Sequence, residues 1–501
     1  GDWGVQTGFQ VLAWRKKGDD ARLANEGISY LCELYVNVNN AAKTQNAARA
    51  ALETHLPALK LTAPFNPAGG NVSLSKQLKD YNLDGATGSV LYRLEICADA
   101  LADYDSIMAA WGCDIDKEAR AIFRQCEAGD ESALEAWRRF RDVTLHELAP
   151  SYERLNVKFD EIKGEAYFAL TQNKDGKRLT DAVIDEYLAK GLAKESLGAL
   201  VVELPQTDEE IKAHGKKPPV IIRKGDEATI YTTRDLAAAI WRFNTFGFDK
   251  NIYITDYRQE NHFVSFFKTL EIAGYDWASR CEFIGLGLMR IRDSATGEAE
   301  FMSTRGGQMV PLKQFLDDMA VHVGGVIAEA NPDLKNKDAV QEQVGVGAVI
   351  FQTQNHARLK DAVFDRETAS RLNGDTGPYL QYAHARMRSL KRKLASQGID
   401  ADALIAGNIP AVLDAPEELA LARRLSLFKP AVADALESRE PYILARYLLD
   451  LAGEYHSFWK QCRVIDAPDD VRRARVALSE AVRIVLAKGL MLIGIPAPDE
   501  M

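Results

Sequence analysis

The pattern of apolar and polar positions between residues 228 and 262 predicts a strand, a helix and a second strand. Residues 229–232 are β-branched and aromatic, which is typical of a strand. Residues 235–246 carry apolar side chains at helical spacing, and Gly247 ends that pattern. Residues 251–256 are again apolar and β-branched. This order indicates a βαβ unit, whose two strands are parallel with a right-handed crossover.

Polar side chains gather where the two predicted strands end. Tyr231 and Asp235 follow the first strand. The end of the second strand carries Asp256, Arg258, Gln259 and His262. Parallel sheets bind ligands outside the carboxyl ends of their strands, so we expect these side chains to face one site. Each residue also has an ordinary structural role as an alternative. Asp235 in a first helical turn can complement the helix dipole, and Tyr231 can pack on a sheet. Gln259 and His262 can face solvent.

The rest of the chain is predicted to be mixed α/β up to about residue 355 and helical beyond it. Before residue 312, helices are predicted at 1–60, 89–155, 180–193 and 262–273, extended segments at 157–168, 200–204, 220–223 and 281–289, and loops at 61–88 and 301–307. Beyond it, helices are predicted at 312–330, 338–354, 376–396, 416–436, 440–463 and 468–493. No internal repeat stands out.

Size and composition narrow the class of protein. A length of 501 residues suggests about three domains, and 47% hydrophobic residues allow large cores. No run of eighteen apolar residues and no signal-peptide pattern occurs. The six cysteines form no CxxC pair, which argues against a zinc site and fits reduced thiols in a cytosol. A net charge of −10 means that any nucleic-acid contact must use a local basic surface.

Several short motifs, taken in order, resemble the arginyl-tRNA synthetase family of class I aminoacyl-tRNA synthetases over nearly the whole chain except roughly residues 40–95. They are Gly1-Asp2-Trp3-Gly4 with Gln6 and Gly8, Gly164-Glu165 before Tyr167, Tyr231 with Asp235, Asp256 with Gln259 and His262, Met302-Ser303-Thr304-Arg305 with Gly307, Val363-Phe364-Asp365, the run 377–386 (GPYLQYAHAR) and the ending 494–501 (GIPAPDEM). Each is weak alone. The run at 377–386, the spacing of Tyr231, Asp235 and Gln259, and the ending together make the resemblance specific.

The resemblance implies a pocket for arginine and ATP-dependent chemistry. Glu165 and Asp235 match arginine-binding positions, with Tyr231 and Gln259 completing the pocket. A guanidinium offers five donors in a planar fork, which suits carboxylate and amide oxygens and discriminates against lysine. The implied reaction activates L-arginine to arginyl-adenylate with release of pyrophosphate, and then transfers arginine to the 3′ end of tRNA(Arg).

The resemblance also implies the nucleotide contacts. ATP, with Mg²⁺ accompanying it, is expected to meet His262, Gly285, Gly287, Met289 and Met302, and no separate metal site is expected. The loop at 301–307 resembles the second class I signature, Lys-Met-Ser-Lys-Ser, but reads Phe-Met-Ser-Thr-Arg here. The expected catalytic residues are Ser303, Thr304 and Arg305, with Arg305 as one remaining cation for the departing phosphates. An ordinary flexible loop is the alternative.

One expected motif is missing. The first class I signature, His-Ile-Gly-His or a variant, should precede Gly-Asp-Trp-Gly, but no two of the eight histidines have its spacing. We therefore expect the N-terminus to be truncated, together with the first strand of the fold and an N-terminal tRNA-contacting domain, and the chain as given to be inactive without them. Residues 40–95 look like a lineage-specific insertion.

The helical C-terminal part resembles the anticodon-binding bundle of the family. The expected tRNA-binding residues are Tyr382, Arg386, Arg388, Arg392 and Met501. RNA loops are read by stacking bases on aromatic side chains and by contacts to phosphates. A run of charges is otherwise usually a solvated helix face, and Tyr455 and Trp459 are better explained as core.

The expected fold is thus a Rossmann-like class I catalytic domain, with a parallel sheet incomplete at its N-terminal side, followed by an all-α anticodon-binding bundle. The expected limits are 1–355, with insertions at about 40–95 and 160–225 and a signature-loop and stem region at 300–345, and then 356–501. We expect a cytoplasmic monomer that makes no membrane contact. The alternatives are a non-catalytic paralogue that binds arginine or tRNA, and a ligase that uses ATP on arginine without tRNA, which the basic helix disfavours.

Overall fold

The structure is a computed structural model that describes residues 3–84, 86–207, 209, 212, 218–225, 230–292, 298–301 and 310–501, with the backbone alone for 299–301. Its N-terminal part is helical and packs around three small apolar cores. The helices are α1 (Val5–Lys17), α2 (Asp20–His55), α3 (Val72–Lys79), α4 (Gly88–Trp111), α5 (Ile115–Ala128) and α6 (Glu131–Arg154). Gly112 and Gly129 adopt left-handed backbone conformations that end α4 and α5.

The middle of the chain mixes helices and short strands. Its elements are α7 (Glu165–Leu170), α8 (Leu179–Ala189), β1 (Ala193–Ser196), β2 (Ala199–Val202), β3 (Val220–Arg223), α9 (Tyr231–Phe246), β4 (Asn251–Asp256), α10 (Glu260–Ile272), β5 (Cys281–Leu286), β6 (Met289–Arg292) and β7 (Ala299–Phe301). Strands β1, β2 and β3 form an antiparallel sheet, while β4 and β5 pair in parallel from Asn251↔Cys281 to Asp256↔Leu286. One apolar core joins this sheet to α8, α9 and α10.

A parallel βαβ unit is present, but it lies one element further along the chain than the predicted one. The strand prediction at 229–232 is wrong for its described part, residues 230–232, because α9 already begins at Tyr231 and Ile230 caps it in an extended conformation. The parallel strands are β4 and β5, and α10 connects them. Thr232 and Thr233 are buried in the first turn of α9, so their β-branched character serves packing rather than strand pairing.

The rest of the described chain is mostly helical. Its elements are α11 (Leu312–Ala330), α12 (Lys337–Gln354), β8 (Ala362–Phe364), α13 (Arg366–Ala369), α14 (Gly377–Ser396), α15 (Ala401–Ile405), α16 (Pro416–Ser426), α17 (Phe428–Ser438), α18 (Pro441–Gln461) and α19 (Asp469–Leu492). Strand β8 pairs in parallel with β6, which is antiparallel to β7. A single large apolar core runs from α11 to the residues that follow α19.

Three further predictions differ from the structure. The predicted loop at 61–88 contains α3, and the predicted extended segment at 157–168 ends in α7. The single helix predicted at 416–436 is two helices that meet at Leu427. Pro430 lies just beyond this break, and its missing N–H cannot donate a hydrogen bond to continue the preceding helix.

Candidate functional site

The start of α9 carries the central cluster of the candidate site. The first turn is fixed to the antiparallel sheet, because the hydroxyl of Thr233 donates a hydrogen bond to the carbonyl of Ile222 in β3. Asp235 opens the second turn, and Nε2 of His262 donates to its Oδ2 at 2.7 Å. The ring of Tyr231 meets the imidazole of His262 edge-on, with 4.8 Å between ring centroids. The structure therefore brings together three of the residues that were expected to share a site.

The members of this cluster differ in their exposure. The side chains of Asp235 and His262 are 29% and 18% exposed, so each is held by packing while remaining accessible. Tyr231 and Gln259 are exposed, and Gln259 ends the short 3₁₀ turn that follows β4. Because Asp235 gives one oxygen to His262 and keeps solvent access, it can accept hydrogen bonds from a cationic ligand.

Glu165 lies at the same end of α9 but binds a residue of the protein. Its Oε2 accepts a hydrogen bond from Nε of Arg234 at 2.8 Å. Arg234 is 5% exposed, whereas the side chain of Glu165 is 34% exposed. Since successive side chains diverge by about 100° around a helix, Arg234 and Asp235 point in different directions. Of the two carboxylates expected to bind arginine, Asp235 lies in α9 and Glu165 is held by Arg234, the residue that precedes Asp235. Glu165 therefore already has a guanidinium partner.

The other polar residues at the end of β4 are paired locally. The carboxylate of Asp256 accepts hydrogen bonds from the backbone N–H of Arg258 at 2.9 Å and from its guanidinium. This arrangement lowers the pKa of Asp256 below its usual value, chiefly through the guanidinium hydrogen bond. Asp256 therefore stays ionised and shapes the turn that leads into α10.

The two glycines expected to lie beside adenine are packed against the protein itself. A Cβ on Gly285 would lie 3.0 Å from Cα of Tyr257, and one on Gly287 would lie 2.1 Å from the carbonyl oxygen of Lys360. The N–H of Gly287 donates to the carbonyl of Arg358 at 2.6 Å. The small residues thus permit close approach of the loop at 356–361 to the end of β5. Met289 opens β6 and packs against the large helical core.

The second class I signature lies outside the described residues. Met302, Ser303, Thr304 and Arg305 belong to the segment 302–309, so their predicted roles stay predictions. Asp2, from the first motif, is also outside the described residues, while Trp3 is buried against Phe123 and Trp137.

The residues expected to bind tRNA divide into two groups. Arg386 lies over the ring of Tyr382 at 4.9 Å and donates to its hydroxyl at 2.9 Å and to Nδ1 of His456 at 3.2 Å. This group offers a cation beside an aromatic ring on the surface. In the second group, Arg388 contacts Asp499 and Arg392 contacts Glu500, and Met501 is the last residue of the same segment.

Sequence reasoning missed several buried polar residues. Arg234, Gln381 and His384 are each at most 5% exposed. Gln381 and His384 lie three residues apart within the run at 377–386, which places them on one helix face. This spacing is the sequence feature that could have predicted their shared role. In the part of the chain that the structure describes, no group of three His, Cys, Asp or Glu residues could hold a metal ion. No described helix is long and apolar enough to cross a membrane.

Comparison with known families agrees with this architecture. Residues 88–366 match the model "tRNA synthetases class I (R), catalytic domain" and residues 380–501 match "DALR anticodon binding domain". The fold is therefore that of a class I aminoacyl-tRNA synthetase. The chain is 32% identical to the arginine–tRNA ligase of Alkaliphilus metalliredigens, covering all of this chain and 72% of the relative. It belongs to the arginyl-tRNA synthetase family.

Further relatives agree with this assignment. The arginine–tRNA ligase of Clostridium acetobutylicum is 36% identical over 389 residues, which are 77% of this chain and 64% of the relative. The chain thus spans about two thirds of the length of these curated relatives.

Solved structures support the fold. The arginyl-tRNA synthetase of Thermus thermophilus has a TM-score of 0.63 at 23% identity, over 87% of this chain and 75% of that one. The Plasmodium falciparum enzyme has a TM-score of 0.61 at 17% identity, over 85% of this chain and 67% of that one.

Proposed function

We propose that the protein to which this chain belongs is an arginine–tRNA ligase that activates L-arginine with ATP and transfers it to tRNA(Arg). The observation that carries this proposal is the partly exposed carboxylate of Asp235 near the start of α9, which is held by His262, whose ring meets that of Tyr231. In this proposal Asp235 binds the substrate guanidinium, and Tyr231 and Gln259 line the same pocket. Glu165 contributes through its pair with Arg234.

Charge and geometry support arginine as the ligand. A planar guanidinium can form two parallel hydrogen bonds with a carboxylate, whereas the ammonium group of lysine is a point charge. Leaving the carboxylate without a cation in a partly buried pocket is unfavourable. A shorter or uncharged amino acid therefore binds more weakly than arginine. His262 orients Asp235 in this scheme, and its predicted ATP contact remains a prediction.

The chemistry needs positioning more than covalent catalysis. The arginine carboxylate attacks the α-phosphorus of ATP in line, the bond to the β-phosphate oxygen breaks, and pyrophosphate leaves. A ribose hydroxyl of the tRNA end then attacks the acyl carbon and AMP leaves. We propose that Gly285, Gly287, Met289 and Met302 border the nucleotide, and that Ser303, Thr304 and Arg305 meet its phosphates. Mg²⁺ would enter with the triphosphate, because this ion keeps several waters and is usually bound through substrate phosphates.

For domain organisation, we propose a catalytic part over 1–355 and an anticodon-binding part over 356–501. The match of an anticodon-binding model to 380–501 supports the second part. Tyr382 and Arg386 are proposed RNA contacts, because an aromatic ring with an adjacent cation suits a base and its phosphate. We further propose a cytoplasmic monomer. The non-catalytic alternative is disfavoured because the curated relatives described above are named as ligases.

The deciding experiment is pyrophosphate exchange driven by L-arginine, with and without tRNA(Arg), on the chain as given and on the protein extended upstream of residue 1. We expect arginine-dependent exchange in the extended protein and none with L-lysine. Pyrophosphate exchange that does not depend on the amino acid would support the non-catalytic alternative. So would tRNA binding by the extended protein without any activation of arginine.

A further inference from the structure

Four polar side chains along one face of α14 bind the last residues of the chain. We call residues 494–501 the C-terminal strap. Gln381 donates to the carbonyl of Pro496 at 2.8 Å, and Nδ1 of His384 donates to the carbonyl of Pro498 at 2.9 Å. One and two turns further on, Arg388 donates to the carboxylate of Asp499 at 2.8 Å and Arg392 donates to its backbone carbonyl at 3.0 Å. The spacing of three, four and four residues aligns these donors on a single helix face.

The first two contacts are buried and therefore strongly specified. Gln381 is fully buried and His384 is 2% exposed. The amide of Gln381 also donates to the carbonyl of Gln343 at 3.0 Å, and Nε2 of His384 accepts from Arg483 at 3.4 Å. Buried polar groups without partners are costly, so these side chains require the strap to stay in place. Gly494, in a left-handed conformation after α19, turns the chain towards α14.

The far end of the strap is fixed as well. The carbonyl of Met501 accepts a hydrogen bond from Asn331 at 3.1 Å, and its side chain packs against the large helical core. The carboxylate of Glu500 lies 3.6 Å from the guanidinium of Arg392. With Asp499 and Glu500, the strap forms one wall of a cleft of about 1030 Å³ that Arg388 and Arg392 also line.

We propose that Arg388 and Arg392 are positioning residues, which hold the C-terminal strap in the RNA-binding face of the helical part, and that they do not bind phosphates themselves. The proposal rests on the RNA-binding part of the proposed function. Both guanidinium groups are already engaged by Asp499 and Glu500. Arg386 differs, because it contacts the ring and hydroxyl of Tyr382 and the imidazole of His456. Arg386 thus keeps a positive charge that no carboxylate neutralises in these contacts.

The salt dependence of RNA binding separates positioning from phosphate contact. Each phosphate contact adds roughly 0.7–0.9 to the slope of log affinity against log salt. We expect Arg386→Gln, on the same helix, to reduce the slope by about that amount. We expect Arg388→Gln combined with Arg392→Gln to weaken binding of a transcribed tRNA(Arg) roughly three- to tenfold, because two exposed ion pairs are lost. The slope should stay unchanged. A slope reduced by two contacts would overturn the proposal.

A second pair of substitutions gives opposite signs under the two models. Asp499→Asn with Glu500→Gln leaves both arginines in place but removes the charges that they hold. Positioning predicts weaker RNA binding, because the strap loosens. Phosphate contact predicts tighter binding and a steeper slope, because the arginines are released, and that result would refute the proposal.

A measurement without RNA keeps the two proposals distinguishable. Hydrogen exchange of the amides in 494–501 should be faster in the Arg388→Gln, Arg392→Gln protein than in the wild type, and unchanged in Arg386→Gln. If the wild type fails to bind tRNA(Arg) but this exchange pattern holds, the RNA-binding function fails while the strap contacts stand. Unchanged exchange in the double variant would refute the positioning role directly.

Discussion

The carboxylate of Asp235 and the imidazole of His262 are 2.7 Å apart, although 27 residues separate them in the chain. Asp235 opens the second turn of α9 and His262 lies in the first turn of α10, so the pair joins the N-terminal ends of two helices that flank β4. Because a carboxylate can only accept, Nε2 of His262 carries the proton in this bond. The imidazole thereby fixes the direction in which the remaining oxygen of Asp235 faces solvent.

Removing the charge of Asp235 should weaken arginine binding without disturbing RNA binding. In Asp235→Asn we expect the KM for arginine in pyrophosphate exchange to rise roughly 10- to 150-fold, because a hydrogen bond to a charged group contributes about 1.5–3 kcal/mol. The affinity for tRNA(Arg) should stay within twofold. An unchanged KM for arginine would remove Asp235 from the pocket.

Substitutions of His262 should separate its two predicted roles. If the imidazole acts through Asp235, His262→Ala should raise the KM for arginine by roughly two- to tenfold, less than the loss of Asp235 itself because the direct contact to arginine remains, and leave the KM for ATP unchanged. His262→Gln, which keeps an N–H donor, should recover part of the loss. A rise confined to the KM for ATP would instead assign His262 to the nucleotide.

The pair formed by Glu165 and Arg234 should behave as one structural unit. Arg234 is almost completely buried, so removing the charge of Glu165 takes an ion pair away from a guanidinium that water hardly reaches. We expect Glu165→Gln to lower the free energy of unfolding by about 2 kcal/mol, below the usual range for fully buried pairs because Glu165 is one-third exposed. Arg234→Met combined with Glu165→Gln should cost less than the sum of the single changes. Urea unfolding of the four proteins measures this coupling.

Additive effects would contradict the pairing of Glu165 with Arg234. The same proteins test whether Glu165 meets substrate directly. A direct contact predicts that Glu165→Gln raises the KM for arginine even when Arg234 is already methionine. A role through Arg234 predicts little further change.

The sequence predicted the elements well where their periodicity is long. The bounds expected for α11 match the structure, and those of α12, α14, α18 and α19 differ by at most two residues at either end. The prediction failed at Tyr231, where a β-branched run opens a helix because Thr232 and Thr233 are buried in its first turn. Local propensity cannot register such packing.

Contacts between segments that are distant in the chain could not be predicted from local sequence patterns. Arg388 and Arg392 read as a basic helix face, yet their partners lie 111 and 108 positions further along the chain. Nothing in the spacing of α14 alone reveals that its arginines meet the acidic end of the chain. The same holds for Arg234, whose partner Glu165 is 69 residues away.

A methyl group at Gly287 should disturb the junction between β5 and the loop at 356–361. Its Cβ would lie 2.1 Å from the carbonyl oxygen of Lys360, so backbone must move. We expect Gly287→Ala to lower the free energy of unfolding by about 1–3 kcal/mol, the usual cost of overpacking. Gly325 in α11 is the matched control, because nothing lies within 4 Å of its Cβ position. Gly325→Ala should stabilise the helix by up to about 1 kcal/mol. Equal effects of the two changes would contradict the close approach.

The buried imidazole of His384 should make the stability of the helical part depend on pH. Burial lowers the pKa of His384 below its ordinary value of 6.5, against a smaller opposing effect of the Pro498 carbonyl. Arg483 and Arg388 lower the pKa further and Asp499 raises it. His384 is therefore neutral when folded. As pH falls through 6.5, the unfolded chain takes up a proton that the folded chain does not, so this contribution to stability is present above pH 6.5 and is lost below it.

The measurement is the difference in free energy of unfolding between wild type and His384→Gln from pH 7.5 to pH 5. Gln keeps an N–H for the carbonyl of Pro498 but has no proton to gain. We expect the wild type to lose more stability than the variant over this interval. Taking the difference cancels the effect of His356, whose pKa is also lowered by burial. Parallel pH profiles would mean that His384 gains its proton as readily in the folded protein as in the unfolded one, and that the strap contact at Pro498 does not depend on a neutral imidazole.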